Sequence, residues 1–216
     1  MQKEHLIDFD RKNRIGIPET IFCLDKDVIQ IRNIFNDLDK SKTNFFTRLS
    51  TEKYSNLPKY IQKKLKYDNI SRTAIYGKIP TTKKNFNIAI ICAGTSDMPA
   101  VTEAQQTLIS SGEYSKLFAD VGVAGLWRIQ KHLTEIKKYK IIIVAAGMDG
   151  ALVSVLGGLI SQPIIAVPTS TGYGVSNNGK TALNAMLASC SPGITLVNID
   201  NGYGAATAAI RILNAI

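Results

Sequence analysis

The sequence predicts an α/β protein whose C-terminal part, residues 85–216, is a doubly wound parallel sheet. Five short apolar runs alternate with segments of helical periodicity, and polar, mostly glycine-rich loops follow the runs. Apolar runs of this kind, rich in β-branched residues, are typical of strands that helices bury on both faces. We therefore expect a three-layer, flavodoxin-like or Rossmann-like domain.

The strands and helices of this domain follow one another in regular order. Strands are expected at 87–92, 117–121, 140–146, 163–167 and 194–199. Helices are expected at 99–111, 126–138, 151–160, 180–188 and 205–213. The long apolar stretch 141–160 contains Asp149 and four glycines, so a strand, a turn and a helix explain it better than a membrane span.

Residues 1–84 form a smaller, basic N-terminal region that we expect to be mostly helical. Residues 1–88 hold 18 Lys and Arg against 10 Asp and Glu, a net charge of +8, whereas the rest of the chain carries +1. Weak amphipathic helices are expected at 28–38 and 57–65. The charge suits nucleic acid, a phosphorylated ligand or a solvated surface. No nucleic-acid-binding signature accompanies it, so nucleic acid is the weakest of the three.

Cysteine usage and the N-terminal residues indicate a cytoplasmic protein without membrane association. Cys23, Cys92 and Cys190 are far apart and form no CxxC pair, which suggests reduced thiols. The first 14 residues are charged and contain no apolar signal region. Judged by pattern alone, Cys190 reads as a small buried hydrophobe that closes a helix.

Ligands of doubly wound sheets bind beyond the carboxyl ends of the strands, where this chain concentrates glycines and polar residues. One such loop would mean little, but five on one edge predict a polar ligand site. The candidate residues are Gly94, Thr95, Ser96, Asp97, Asp120, Gly122, Gly147, Met148, Asp149, Thr169, Ser170, Gly172, Tyr173 and Asn201.

Each candidate loop has a structural alternative. Residues 94–97 suit a phosphate cradle or ordinary helix capping. Residues 168–179 suit a loop that covers a ligand or one that forms an interface. Asp120 and Asp149 suit a base, a ribose contact, a Mg²⁺ ligand or a helix N-cap.

Six motifs, in order and at matching spacing, give the chain a family resemblance. They are AGTSD at 93–97, DVGVAG at 120–125, AGM at 146–148, GG at 157–158, VPTS with GYG at 167–174, and VNIDNG at 197–202. Together they resemble the LarB family of nickel-pincer cofactor biosynthesis, pyridinium-3,5-biscarboxylic acid mononucleotide synthases with an aminoimidazole ribonucleotide (AIR) carboxylase-like domain at 85–216. Residues 10–19 and 47–48 resemble the N-terminal region of that family.

The resemblance implies carboxylation of nicotinic acid adenine dinucleotide at C5 of its pyridinium ring, followed by hydrolysis of the phosphoanhydride to release AMP. It implies that Cys190 is the catalytic thiol and Asp149 the proton-transfer residue, with the other candidates binding substrate. It implies CO₂ or bicarbonate as co-substrate and no tightly bound cofactor, and it leaves open whether Mg²⁺ assists. By resemblance, the partners are the small-molecule nucleotide substrate and seven further copies in a ring of eight, without nucleic acid or membrane.

Two positions depart from the family pattern, and two other functions remain as alternatives. Asp149 stands where a glutamate is usual, and Trp127 where a histidine is usual. The AIR carboxylases and mutases of purine biosynthesis share the domain, but their chemistry relies on a histidine after the second strand, and residues 120–125 contain none. A non-enzymatic nucleotide-binding module is the third possibility.

Overall fold

The computed structural model describes residues 4–82 and 84–216, and it divides into two compact units. The N-terminal unit comprises residues 4–82 with Ile109–Glu113, and the C-terminal unit comprises residues 84–108 and Tyr114–Ile216. Within the described residues, no helix has the length and apolar character that crossing a bilayer requires.

The N-terminal unit contains helices within both expected ranges, the second only four residues long, and also a four-stranded sheet that the sequence pattern did not predict. Its helices are α1 Arg11–Ile15, α2 Val28–Asp37, α3 Thr51–Asn56 and α4 Lys59–Gln62. Its strands are β1 Thr20–Phe22, β2 Thr43–Thr47, β3 Lys66–Asp68 and β4 Thr73–Gly77. They lie in the order β1-β2-β4-β3, with β1 and β2 parallel and the other pairs antiparallel.

Helix α2 carries a local start signal in addition to its amphipathic pattern, whereas the strands of this unit carry no comparable signal. Asp27 and Gln30 form a capping box: the Asp27 carboxylate accepts from the Gln30 backbone N–H at 2.7 Å, and the Gln30 side chain accepts from the Asp27 N–H at 3.0 Å. The strands, by contrast, are three to five residues long. In β2 the adjacent Phe45 and Phe46 are both fully buried, so this strand shows no apolar–polar alternation.

The C-terminal unit is the expected doubly wound sheet. Its strands are β5 Ile88–Cys92, β6 Ser115–Phe118, β7 Ile141–Ala146, β8 Ile164–Pro168 and β9 Ile194–Leu196. Its helices are α5 Met98–Ser111, α6 Leu126–Ile136, α7 Ala151–Gly157, α8 Lys180–Leu187 and α9 Gly202–Leu213. All neighbouring strands are parallel, in the order β6-β5-β7-β8-β9, which is the flavodoxin-like 2-1-3-4-5 arrangement.

Helices cover both faces of this sheet. Alternate residues of β7, Ile142, Val144 and Ala146, share one apolar core with α6, α7 and α8. Helices α5 and α9 lie against each other, because the Cα of Gly202 approaches the Ala100 carbonyl so closely that a Cβ there would lie 2.0 Å from its oxygen. The arrangement leaves the carboxyl edge of the strands free for loops, and these loops form the site.

Candidate active site

A cleft of about 710 Å³ lies at the carboxyl ends of β5 and β7, a volume within the usual range for small-molecule sites. β5 lies between β6 and β7, so the chain reverses its direction of winding there, and ligands of such sheets bind at this switch point. The cleft is lined by Ala93, Gly94, Ser96, Asp97, Gly122, Val123, Ala124, Ala146, Gly147, Met148, Asp149, Ala151, Leu152, Thr171, Tyr173, Val175, Ser176 and Thr181.

In the loop after β5, Asp97 connects two walls of the cleft. One carboxylate oxygen, Oδ2, accepts a hydrogen bond from the backbone N–H of Gly94 at 2.9 Å. The other, Oδ1, accepts from the hydroxyl of Thr169 at 2.5 Å. Asp97 and Thr169 are both buried. Asp97 therefore organises the loops, whereas its neighbour Ser96 is exposed and available to a ligand.

The loop after β7 holds its backbone in an uncommon conformation. Met148 has φ 54°, in the left-handed region, and its N–H donates to the Thr171 carbonyl at 2.9 Å. A Cβ on Gly147 would lie 2.3 Å from the Thr171 carbonyl oxygen, so only glycine fits there. Strained backbone of this kind persists where the surroundings enforce it, often at functional sites. It places Asp149 in the cleft wall, exposed, with Oδ1 accepting from the Ala151 N–H at 3.2 Å.

The loops after β8 and β9 are joined to each other by a hydrogen bond. Ser170 donates its N–H to Oδ1 of Asp200 at 2.8 Å, and Asn201 caps α9 by accepting from the Gly204 N–H at 2.7 Å. Tyr173 lines the cleft and is 83% exposed. Ser170 and Asn201 thus hold the loops, and Tyr173 faces the space where a ligand would bind.

The loop after β6 contributes Gly122 to the cleft lining, whereas its Asp120 lies outside the lining. Asp120 has φ 56°, and its Oδ2 forms an ion pair of 2.9 Å with Nη1 of Arg128 on α6. Gly122 passes close to β5, since a Cβ there would lie 2.8 Å from the Ala93 carbonyl oxygen. Asp120 is therefore engaged with Arg128 at the start of α6 and is not part of the cleft wall.

The structure brings eight of the predicted site residues to the cleft. These are Gly94, Ser96, Asp97, Gly122, Gly147, Met148, Asp149 and Tyr173. Thr95, Asp120, Thr169, Ser170, Gly172, Asn201 and Cys190 lie outside the lining. Thr171, Val175 and Ser176 belong to the loop 168–179, which the sequence predicts as a ligand-covering or interface loop without singling them out. Sequence reasoning missed the apolar members Val123 and Leu152, together with Thr181. Their one signal was adjacency to the glycine-rich loops.

The structure places Cys190 on the surface, away from the cleft of its own chain. Helix α8 begins beside the cleft, where Thr181 lines it, and the helix rises about 9 Å over the six residue steps from Thr181 to Leu187. Beyond it, Ser189 and Ser191 contact Ser154 on α7 at 2.7 Å through hydroxyl hydrogen bonds. The expected small buried hydrophobe is thus an exposed thiol, because α8 ends before it.

The other two cysteines are buried. Burial raises the pKa of the Cys23 thiol to about 12 and also raises the pKa of the Cys92 thiol. Both thiols therefore stay protonated at neutral pH. Among the three, Cys190 alone is exposed to solvent, which is a condition for nucleophilic reactivity.

The described lining carries acidic and hydroxyl side chains but no Lys, Arg or His. Ser96, Thr171, Ser176 and Thr181 supply hydroxyls, and Asp97 and Asp149 supply carboxylates. Within residues 4–82 and 84–216, no group of three or more His, Cys, Asp or Glu has the arrangement of a metal site. A lining of this kind favours a ligand that presents a cationic or hydrogen-bonding group to Asp149.

The five-stranded parallel sheet and its switch-point cleft define a flavodoxin-like α/β domain with a cleft of the size that small-molecule sites have. Residues 87–216 match the family model of AIR carboxylase, and residues 4–78 match that of the LarB/PurE-like N-terminal domain. The chain therefore belongs to the LarB family, with an AIR carboxylase domain. This membership supports a carboxylase-type function.

An uncharacterized protein of Methanocaldococcus jannaschii is 38% identical over 210 residues, which cover 92% of this chain and 80% of the relative. A crystal structure of a PurE2 variant from Treponema denticola is 21% identical, with a TM-score of 0.46, covering 59% of this chain and 79% of that one.

Proposed function

We propose that this protein is a cytoplasmic carboxylase that acts on C5 of the pyridinium ring of nicotinic acid adenine dinucleotide and then hydrolyses the phosphoanhydride. The observation that carries the proposal is Asp149, a carboxylate in the wall of a cleft that otherwise holds hydroxyls and apolar groups. A carboxylate there attracts a cationic ring and accepts a proton from it. Because the family has an AIR carboxylase domain, we expect the group beside Asp149 to be a ring carbon that is carboxylated and loses its proton.

The chemistry requires a nucleophile because a pyridinium ring is electron-poor and does not attack CO₂. A thiolate adds to a ring carbon and supplies two electrons, which gives a neutral enamine whose C5 is nucleophilic. C5 then forms a bond to the carbon of CO₂. Asp149 removes the C5 proton, the thiolate leaves with its electron pair, and the aromatic pyridinium returns. Attack of water on the phosphoanhydride releases AMP and the biscarboxylated mononucleotide.

We assign the thiolate to Cys190 and propose that it comes from a second copy of the chain. Cys190 is exposed but lies outside the cleft of its own subunit, so it does not contact a ring bound beside Asp149 there. Leu187, one turn earlier, is 66% exposed, and Tyr173 and Val175 at the cleft are 83% and 91% exposed. Large apolar groups this exposed are suited to an interface between subunits. A homo-oligomer, octameric by resemblance, accounts for both features.

Incubation with nicotinic acid adenine dinucleotide and labelled bicarbonate tests the reaction. The expected result is label in a pyridinium mononucleotide, accompanied by one AMP for each product molecule. Aminoimidazole ribonucleotide is the comparison substrate, and we expect no turnover of it because no histidine occurs in the described cleft lining. Absence of label from the pyridinium product would refute the proposal.

Mixing two inactive variants tests the shared site. Cys190→Ala removes the thiol and Asp149→Asn removes the base, so each variant alone is expected to be inactive. If the site takes Cys190 from one copy and Asp149 from another, oligomers reassembled from both variants contain some intact sites and regain activity. Failure of the mixture to regain activity, with subunit exchange shown by mass spectrometry, would place both residues on the same chain.

A further inference from the structure

We infer that Trp127 forms a stacking subsite for the nucleobase of an adenylate group, beside the cleft on the α6 side. Trp127 lies in the first turn of α6, and the residue is 65% exposed. The residues just before it in the chain, Val123 and Ala124, line the cleft. A large aromatic ring so exposed next to a ligand site is available for contact with that ligand.

The indole lies next to the guanidinium of Arg128. The guanidinium carbon of Arg128 lies 5.9 Å from the indole centroid, within the range of cation–π attraction. Arg128 is itself fixed by the 2.9 Å ion pair with Asp120, and it donates to the Asp120 carbonyl at 3.3 Å. Asp120, which sequence reasoning had assigned to substrate binding, thus positions Arg128 next to the indole.

Gly125 makes room for this arrangement. A Cβ at Gly125 would lie 2.9 Å from Nε of Arg128 and 3.4 Å from Nε1 of Trp127. The absence of a side chain there lets both groups fold back over the start of α6. Arg128 then lies on the ring at one side, and the high exposure of Trp127 leaves ring surface open to a second flat group.

The ligand that fits this open surface is a nucleobase. Every base presents a flat π face, and stacking on an aromatic side chain requires no particular edge contacts. The identity of the base rests on the proposed function, whose substrate has two rings. The pyridinium cation fits the acidic part of the cleft near Asp149. The adenine then lies outside the cleft, on the indole of Trp127. Binding of AMP can nevertheless be measured whether or not the protein carboxylates anything.

The test uses the emission of Trp127, which is the single tryptophan of the chain. We expect AMP and nicotinic acid adenine dinucleotide to quench or shift this emission saturably, and nicotinic acid mononucleotide, which lacks adenine, to leave it unchanged. By calorimetry, Trp127→Ala is expected to weaken AMP binding about tenfold, and Trp127→Phe to retain most of it. Leu126→Ala, an exposed neighbour without a ring, is the matched control and should bind AMP as the wild type does.

Several outcomes would overturn the subsite. The first is that AMP leaves the tryptophan emission unchanged, and the second is that nicotinic acid mononucleotide changes it as much as AMP does. The third is an equal loss of AMP affinity in Trp127→Ala and Leu126→Ala. The fourth is emission that depends on protein concentration alone, which would indicate a contact between subunits. Failure of the proposed function looks different, because AMP would still quench Trp127 while no label entered the pyridinium. Conversely, wild-type kcat/KM for carboxylation in Trp127→Ala would leave the function standing and remove the subsite.

Discussion

The hydroxyl of Thr169 donates to Oδ1 of Asp97 at 2.5 Å and joins two loops that are 72 residues apart in the chain. Because Oδ2 of the same carboxylate accepts from the Gly94 N–H, Asp97 is engaged through both oxygens. A buried carboxylate requires such partners, since burial without them is costly. The bond therefore couples the shape of the cleft to the stability of the domain.

Thr169→Val is expected to lower the free energy of unfolding by about 2 kcal/mol, because it leaves Oδ1 of the buried Asp97 without this donor. Urea denaturation measures the change. Thr171→Val is the matched control: the Thr171 hydroxyl donates to the Ser96 carbonyl at 3.2 Å in an exposed position, and its loss is expected to cost about 0.5 kcal/mol or less. Equal losses of unfolding free energy in the two variants would show that the buried Asp97–Thr169 bond stabilises the domain no more than the exposed Thr171–Ser96 bond.

Gly147→Ala is expected to lower kcat/KM for carboxylation by about 100-fold. The added methyl would lie 2.3 Å from the Thr171 carbonyl oxygen and 2.8 Å from Oγ1 of Thr169, so the loops that form the cleft must move. Gly158→Ala is the control, because its nearest contact would be an ordinary 3.6 Å. If Gly147→Ala kept wild-type kinetics, the close approach of these loops would not matter for the site.

Alkylation is expected to distinguish Cys190 from the other thiols. In native protein at pH 8, iodoacetamide should modify Cys190 alone, because burial holds the Cys23 and Cys92 thiols protonated and inaccessible. Peptide mass spectrometry identifies the modified residue, and denaturant should expose all three. Alkylated protein and Cys190→Ala should both lack carboxylation. Retained carboxylation in Cys190→Ala would remove the thiol from the mechanism.

Asp149→Asn is expected to lower kcat by 10²- to 10⁴-fold, roughly the contribution of a positioned general base. Asp149→Glu should stay active, because the family pattern has the longer acid here and its carboxylate reaches about one methylene further. Single-turnover measurements separate the chemical step from binding. A glutamate variant as slow as the asparagine variant would argue against proton transfer at this position.

The buried Cys23 thiol predicts a loss of stability in alkaline solution. Its pKa is raised from 9.0 to about 12 by burial, so below pH 9 the thiol is protonated in both folded and unfolded chains. Between pH 9 and 12 the unfolded chain ionises first, and stability falls by up to about 1.4 kcal/mol per pH unit. Comparison of denaturation curves for the wild type and Cys23→Ala isolates this slope from other titrating groups. Parallel curves would mean that the thiol is accessible in the folded protein.

Much of the C-terminal domain could be predicted because its information is local. The apolar runs that became β5, β7 and β8 are fully buried, and the glycines and polar residues after them mark where the chain must turn. Parallel strands bring those turns to one edge, which is how Asp149 and Tyr173 could be assigned to a single site from sequence. The side chains that line a cleft through packing, such as Leu152 and Thr181, carry no comparable local signal.

By itself, the sequence determined the order of strands and helices in residues 85–216, the edge of the sheet where the cleft lies, and the family. Only the tertiary structure decided the N-terminal sheet, the engagement of Asp120 with Arg128, and the position of Cys190 outside its own cleft. The physical reason is that periodicity and turn residues act over a few neighbours. The pairing of the N-terminal strands depends on which distant segments meet when the chain closes. The Asp120–Arg128 ion pair and the exposure of Cys190 depend on side-chain and loop placement that periodicity does not encode.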